Sequence, residues 1–143
     1  MSLRLPHEML AGCLWLPRFV DKVRAHRDGR LPADYRLAFG HPRGVDGHFF
    51  RHFGFQREAI VAAIATAPDD PAVATWFLGQ PTVSPTSIEG WNALAPNIGR
   101  EGQPGREAFL FMRRRLYGDQ PPAPVESAFE AIYFDETGSK DRV

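Results

Sequence analysis

The chain has 143 residues, a formal net charge of zero and a hydrophobic fraction of 43%, with eleven Phe and three Trp. This length is typical of about one domain with a sizeable core, and the neutral balance excludes a global field that would favour nucleic acid or an anionic membrane. A single cysteine, Cys13, excludes an internal disulfide and a cysteine-based zinc cluster. No stretch resembles a membrane span or a signal peptide, so we expect a soluble cytoplasmic protein.

The first predicted element runs from His7 to Gly29, where apolar residues follow helical spacing and Gly29 ends the helix. Pro17 interrupts this run because it has no N–H to bond the carbonyl four residues earlier. We therefore expect a kink or a fresh helix start at Pro17. Strand pairing is expected at most between "YRLAF" and "AIYF", as a tiny two-stranded element.

Capping residues predict three of the following helices, and "QREAIVAAIATA" is predicted as a further helix after the first of them. Asp46 is expected to cap "DGHFFRHFG", Asp69 or Asp70 to cap "DPAVATWFLGQ", and Ser84 to cap "SPTSIEGWNALA". Together with the elements around them, these helices predict an all-α fold, a compact single-domain bundle of six or seven short helices.

The stretch "GREAFLFMRRRLYG" predicts the last body helix, with Phe109, Met112 and Leu116 facing inward and residues 113–115 mostly outward. The predicted helical domain covers residues 1–118.

Residues 119–143 are predicted to form a Pro-rich linker and an acidic amphipathic tail, with six Asp/Glu and two Lys/Arg. Val125, Phe129 and Ile132 lie at helical spacing there, and such a stripe requires a groove, its own or a partner's. Self-association through residues 125–134 is therefore one expectation. Docking of the acidic tail on the basic body is another.

The charged stretch "LWLPRFVDKVRAHRDG" allows three interpretations. Arg18, Asp21, Lys22 and Arg24 can lie on the wet side of an ordinary helix, with Asp21 paired to the arginines three residues away. Alternatively, Arg18 or Asp21 is buried and holds the "LPADY" loop through backbone hydrogen bonds. In the functional interpretation, the three cations clamp an anion and Asp21 orients them.

Two histidines, His48 and His52, have the i, i+4 spacing of a metal-binding pair. Asp46 or His41 could supply a third ligand, but the glutamate of the metalloprotease motif is absent. We therefore predict no metal site and keep the two histidines as weak candidates, with surface histidines as the simpler interpretation. Cys13 lies in an apolar run and predicts a buried, inert thiol.

The pair Trp91 and Asn92 suggests either a pocket wall or ordinary helix packing. The arginine run 113–115, together with Arg100 and Arg106, could meet phosphate. Without exposed aromatic neighbours or a known nucleic-acid fold, a solvated face or a dock for the acidic tail is favoured, and nucleic-acid binding is not expected.

Three segments carry a family resemblance: "GCLWLPRFVDKVRAHRDGRLPADY", "VDGHFFRHFGF" and "SPTSIEGWNAL". Over roughly residues 8 to 117 the chain resembles a bacterial family catalogued as domain of unknown function 5069. The long "GREGQPGREAFLFMRRRLYG" helix and the acidic tail depart from the family pattern. The resemblance implies a soluble bacterial protein and brings no activity with it. The positions that carry the pattern are Leu16, Arg18, Asp21, Lys22, Arg24, Ala25, Gly29, Tyr35, Asp46, Trp91 and Asn92.

No nucleophile elbow, phosphate loop or dinucleotide fingerprint is present in the sequence. The leading hypothesis is therefore a non-catalytic helical binding or interaction module that needs no cofactor. The alternative is a small-molecule enzyme or anion-binding protein with a pocket around Arg18, Asp21, Lys22, Trp91 and Asn92.

Overall fold

The computed structural model describes residues 2–120 and 125–138. These residues contain eight α-helices, one 3-10 turn and one two-stranded sheet, which confirms the predicted all-α class with a tiny two-stranded element. None of the described helices combines the length and the apolar character that crossing a bilayer requires. In chain order the elements are β1 (Met9–Leu10), β2 (Cys13–Leu14), α1 (Leu16–Arg27), α2 (Ala33–Ala38), α3 (Val45–Phe53), α4 (Arg57–Thr66), α5 (Asp70–Leu78), α6 (Pro85–Leu94), the 3-10 turn (Ala95–Asn97), α7 (Arg106–Tyr117) and α8 (Ala128–Thr137).

The chain forms two compact units, residues 1–92 and 93–143. The predicted boundary between residues 118 and 119 stays a prediction. Of the predicted linker and tail, residues 121–124 and 139–143 lie outside the described part of the chain.

The start of the chain differs from the predicted helix. Residues 9–14 form an antiparallel hairpin, in which Ala11 and Gly12 adopt φ values of 55° and 73° at the turn. Two consecutive residues with positive φ are the requirement of the tight turn that matches strand twist. The helix begins only at Leu16, with Pro17 in its first turn, so a fresh start at the proline is confirmed. The expected pairing of "YRLAF" with "AIYF" is wrong, because both stretches lie largely in helices, α2 and α8.

Aromatic side chains form the centre of the first unit. Phe49 of α3 lies 5.3 Å from Trp91 of α6 and 6.1 Å from Phe19 of α1, measured between ring centres. Phe53 lies 5.3 Å from Phe77 of α5. All five rings are buried, and edge-to-face or offset contacts at these distances add to the apolar burial. This core fixes α1, α3, α5 and the part of α6 that carries Trp91 around one centre.

Two predicted caps are confirmed in the first unit. The Asp69 carboxylate accepts a hydrogen bond from the Ala72 N–H at 3.0 Å, at the start of α5. The Ser84 hydroxyl accepts from the Ser87 N–H at 3.1 Å, at the start of α6. Each bond satisfies one of the free N–H groups of a first helical turn.

The second unit is built from α7, α8 and the 3-10 turn. Val125, Phe129 and Tyr133 of the tail are buried, whereas Ile132 is only half-buried. The Ala128 N–H donates to the Ile98 carbonyl at 2.9 Å, which ties the start of α8 to the end of the 3-10 turn. Most of the apolar stripe of the tail is therefore covered in the folded chain.

The predicted orientation of α7 is only partly right. Phe109 is buried as expected, but Met112 and Leu116 are exposed and Arg113 is half-buried. The Arg113 guanidinium lies 5.3 Å from the Phe109 ring centre and donates to the Val125 carbonyl at 3.0 Å. The inner face of α7 therefore follows the i, i+4 pair of Phe109 and Arg113, because this arginine packs its stem along apolar surface.

Candidate functional site

The strained residue at the start of α1 is Trp15. It has φ 75° and ψ −29°, in the left-handed region, and its side chain is buried. A bulky residue pays for this conformation, by about 1–3 kcal/mol, so the surrounding contacts must hold it. The indole N–H donates to Asp46 Oδ1 at 2.8 Å, and the Trp15 N–H donates to the Pro6 carbonyl at 3.1 Å. These bonds place the indole in a buried polar cluster that contains Asp46 of α3 and Lys22 of α1.

The carboxylate of Asp46 is the centre of that cluster. The predicted cap role is wrong: α3 begins after Gly44, and Asp46 points into the interior, where it is 1% exposed. Besides the indole, it accepts from the Gly40 N–H at 2.8 Å and from Lys22 Nζ at 3.3 Å. Lys22 is 4% exposed, and its ammonium lies 4.8 Å from the Trp15 ring centre. A buried carboxylate needs such donors because desolvation without them is costly.

Arg18 lies one helical turn before Lys22 and is also buried, at 2% exposure. Its Nη1 donates to the Arg4 carbonyl at 3.2 Å, and its guanidinium lies 5.6 Å from the Trp15 ring and 5.8 Å from the Tyr35 ring. The second interpretation of the charged stretch therefore comes closest to the structure. Arg18 is buried beside Tyr35, which lies in α2 and not in a loop, and its backbone bond goes to Arg4.

Asp21 does not pair with the arginines of its own helix. It accepts from the Arg4 N–H at 2.7 Å and from Arg4 Nη2 at 2.9 Å. The same guanidinium reaches Asp70 of α5 at 2.7 Å, and Asp70 also pairs with Arg24 at 2.9 Å. The hydrogen bond from Arg4, reinforced by Arg24, holds the pKa of Asp70 below its ordinary value. This partly exposed network joins the N-terminal segment to α1 and α5.

Trp91 and Asn92 hold the hairpin. The Trp91 indole N–H donates to the Leu14 carbonyl at 2.8 Å. The Asn92 side chain accepts from the Leu14 N–H at 3.0 Å and donates to the Gly12 carbonyl at 2.8 Å. Both residues therefore bind backbone groups that the short strands leave open.

The histidine pair is engaged in packing. His52 Nε2 lies 2.7 Å from the Ser87 carbonyl, and its ring contacts Phe53. His48 is half-buried, and burial followed by the charge of Arg51 lowers its pKa below 6.5. Within residues 2–120 and 125–138, no group of three or more potential ligands is placed to hold a metal ion.

The thiol of Cys13 is buried in the hairpin, and burial raises its pKa to about 12. Such a thiol is almost wholly protonated at neutral pH and is a poor nucleophile. This agrees with the expected inert role.

The predicted site residues fall into three groups. Arg18 and Lys22 lie around Trp15, Asp21 and Arg24 lie in the Arg4 and Asp70 network, and Trp91 and Asn92 lie at the hairpin. A ligand role for these residues stays a prediction. Sequence reasoning missed Arg4 and Asp70 as partners, since contacts so distant along the chain leave no periodic signal.

A different surface lies on α7. Phe111 is 66% exposed, Leu116 53% and Met112 49%. Phe111 and Arg115 are four residues apart, as are Met112 and Leu116, so the two pairs lie side by side. Arg114 borders them and is exposed. We call these five residues the α7 surface.

The fold and the site define a small, mostly helical protein whose polar motif residues are used for packing. Its sequence matches the family described as Domain of unknown function (DUF5069) over residues 1–137. The chain belongs to this family, and the match includes α7 and the tail through residue 137, which the sequence resemblance had set apart. A search of curated proteins found no match.

Proposed function

We propose that the protein is a non-catalytic helical binding or interaction module and that it binds its partner through the α7 surface. The observation that carries the proposal is the exposure of Phe111, Met112 and Leu116 as neighbours on one helix. Single exposed apolar residues are common, but contiguous exposed patches mark interaction sites.

The state of the polar motif residues supports a non-catalytic role. Lys22 and Asp46 are buried against each other, and Asn92 is occupied by the hairpin backbone. A catalytic acid, base or nucleophile must reach a substrate within hydrogen-bonding distance. These side chains instead stabilise the first unit.

Cytoplasmic location, bacterial origin and self-association through residues 125–134 remain parts of the hypothesis. The single, buried Cys13 is compatible with a reducing compartment. Val125, Phe129 and Tyr133 are already buried in the folded chain, which favours the α7 surface over the tail stripe as the contact region.

The test is site-specific photo-crosslinking in living cells. A photoreactive phenylalanine analogue replaces Phe111 in the full chain, and a matched variant carries it at Leu37, an exposed leucine on α2. We expect a defined adduct from position 111 that position 37 does not form.

The partner protein found in the adduct is then purified, and its affinity for the wild-type chain is measured by calorimetry. The L116S variant is expected to bind it at least about fivefold more weakly, because truncation of a buried interface anchor costs more than about 1 kcal/mol. Equal crosslinking at both positions, or an affinity that L116S leaves unchanged, would refute the α7 surface as the binding site.

A further inference from the structure

The second unit pairs only some of its arginines. Arg113 lies 3.4 Å and Arg106 3.8 Å from Glu126, and Arg100 lies 3.4 Å from Glu130. Three arginines of this unit therefore meet acidic residues of the tail.

Arg114 and Arg115 differ from these three. Both are exposed, and neither forms an ion pair with any residue that the structure describes. They lie beside Phe111, Met112 and Leu116. The α7 surface thus combines exposed apolar side chains with positive charge that the described chain leaves unneutralised.

The inner face of α7 gives an internal example of what such a combination binds. There Arg113 pairs with Glu126, which lies just before α8, and the Tyr117 ring of α7 lies 6.0 Å from the Phe134 ring of α8. Tyr117 of α7 also donates to Asp135 of α8 at 2.8 Å. An acidic amphipathic helix is therefore a chemical match for an arginine-bearing, apolar face of α7.

Two other occupants fit the charge less well. Symmetric pairing of two copies through this surface would place Arg114 and Arg115 near the same arginines of the second copy, and like charges oppose such an interface. Recruitment to an anionic membrane relies on clusters of about four to eight cations. The α7 surface has two, with the exposed Glu107 one turn before Phe111.

Resting on the function proposed above, we propose that the α7 surface binds an acidic amphipathic helix of a partner protein. The apolar side of that helix covers Phe111, Met112 and Leu116, and its carboxylates pair with Arg114 and Arg115. Exposed pairs of this kind contribute specificity and salt dependence more than affinity.

The test measures binding of labelled synthetic peptides to the full chain by fluorescence anisotropy. One helical peptide carries leucines at i, i+3, i+4 and i+7 spacing with glutamates elsewhere, and its counterpart has lysine at every glutamate. We expect the wild-type protein to bind the glutamate peptide more tightly than the lysine peptide, and to bind it more weakly as salt is added.

Three variants sharpen the result. R114E/R115E is expected to lose about tenfold in affinity for the glutamate peptide and to gain affinity for the lysine peptide, because attraction becomes repulsion. F111S/L116S is expected to lose affinity for the glutamate peptide and for the lysine peptide. The matched control L37S/R43E changes an exposed leucine and an exposed arginine elsewhere and is expected to bind as the wild type does. Circular dichroism checks that all variants are folded.

Other outcomes overturn the inference. If the lysine peptide binds as tightly as the glutamate peptide and F111S/L116S abolishes both, the acidic partner is wrong but the α7 surface remains a binding site. Absence of binding to either peptide also overturns the inference, as does binding only to phosphatidylcholine vesicles that contain phosphatidylserine. A wild-type dimer that F111S/L116S converts to a monomer in light scattering identifies a second copy as the occupant instead.

Discussion

Removal of the contacts of Asp46 should lower the stability of the first unit strongly. The D46A substitution removes the acceptor of the Trp15 indole at 2.8 Å, of the Gly40 N–H at 2.8 Å and of the Lys22 ammonium at 3.3 Å. Breaking a buried ion pair from one side costs about 3–5 kcal/mol, and each buried N–H that loses its acceptor costs about 1–3 kcal/mol. These costs overlap because they share one site, so we expect the free energy of unfolding to fall by about 3–5 kcal/mol. This is a large part of the roughly 5–15 kcal/mol that stabilises a typical domain.

Urea unfolding followed by tryptophan fluorescence measures this loss. All three tryptophans, Trp15, Trp76 and Trp91, lie in the first unit and report on it. The matched control is E89A, which removes an exposed carboxylate and should change stability by less than about 0.5 kcal/mol. The double variant K22M/D46N removes both charges. Its loss in free energy of unfolding should be smaller than the sum of the losses in K22M and in D46N, because contacting residues are coupled. A D46A loss below about 1 kcal/mol, or strict additivity in the double variant, contradicts the buried-pair account.

Three further predictions concern other positions. G47A should destabilise the protein by about 1–3 kcal/mol in the same assay, because the new Cβ would lie 2.6 Å from Pro42 Cα. In the control G90A the nearest atom to the new Cβ is 3.4 Å away, so this variant should be neutral or stabilising. Equal effects of the two substitutions would contradict this packing. Cys13 should resist a thiol reagent in the native protein and react after unfolding, and fast native labelling would contradict its burial. His48 has its pKa lowered below 6.5 by burial and a nearby arginine, so the unfolded chain binds the extra proton first. Stability should therefore fall as pH drops below 6.5, with a smaller fall in H48N measured by urea unfolding; an identical pH profile would refute it.

Much of the helical order follows from local signals. Pro17 marks a helix start, and the Asp69 cap is present, because these features depend on backbone chemistry within one turn. The hairpin at residues 9–14 was missed because two residues per strand are too few to show a period of two. Its turn chemistry, Ala11 followed by Gly12, is a weak signal beside the commoner Asn-Gly.

Errors of orientation have a shared cause. Met112 was expected inside and Arg113 outside, but Met112 is exposed and Arg113 is half-buried. Asp46 likewise has its carboxylate buried instead of capping a helix. Hydropathy patterns treat every charge as solvent-facing, whereas a charge with several donors or an apolar stem can be packed inside. Such exceptions depend on partners far away in sequence and therefore require the fold.

The same reasoning applies to the residues on which the family resemblance depends. Leu16 is buried, Arg18 and Lys22 surround a strained Trp15, and Trp91 and Asn92 bind the backbone of the hairpin. Each contact helps to hold a left-handed tryptophan or an unpaired strand edge that would otherwise be costly. These contacts give the residues a structural task that is independent of any ligand. Function should therefore be sought on a surface that folding does not require, and the exposed side of α7 is such a surface because its apolar residues contribute little to burial.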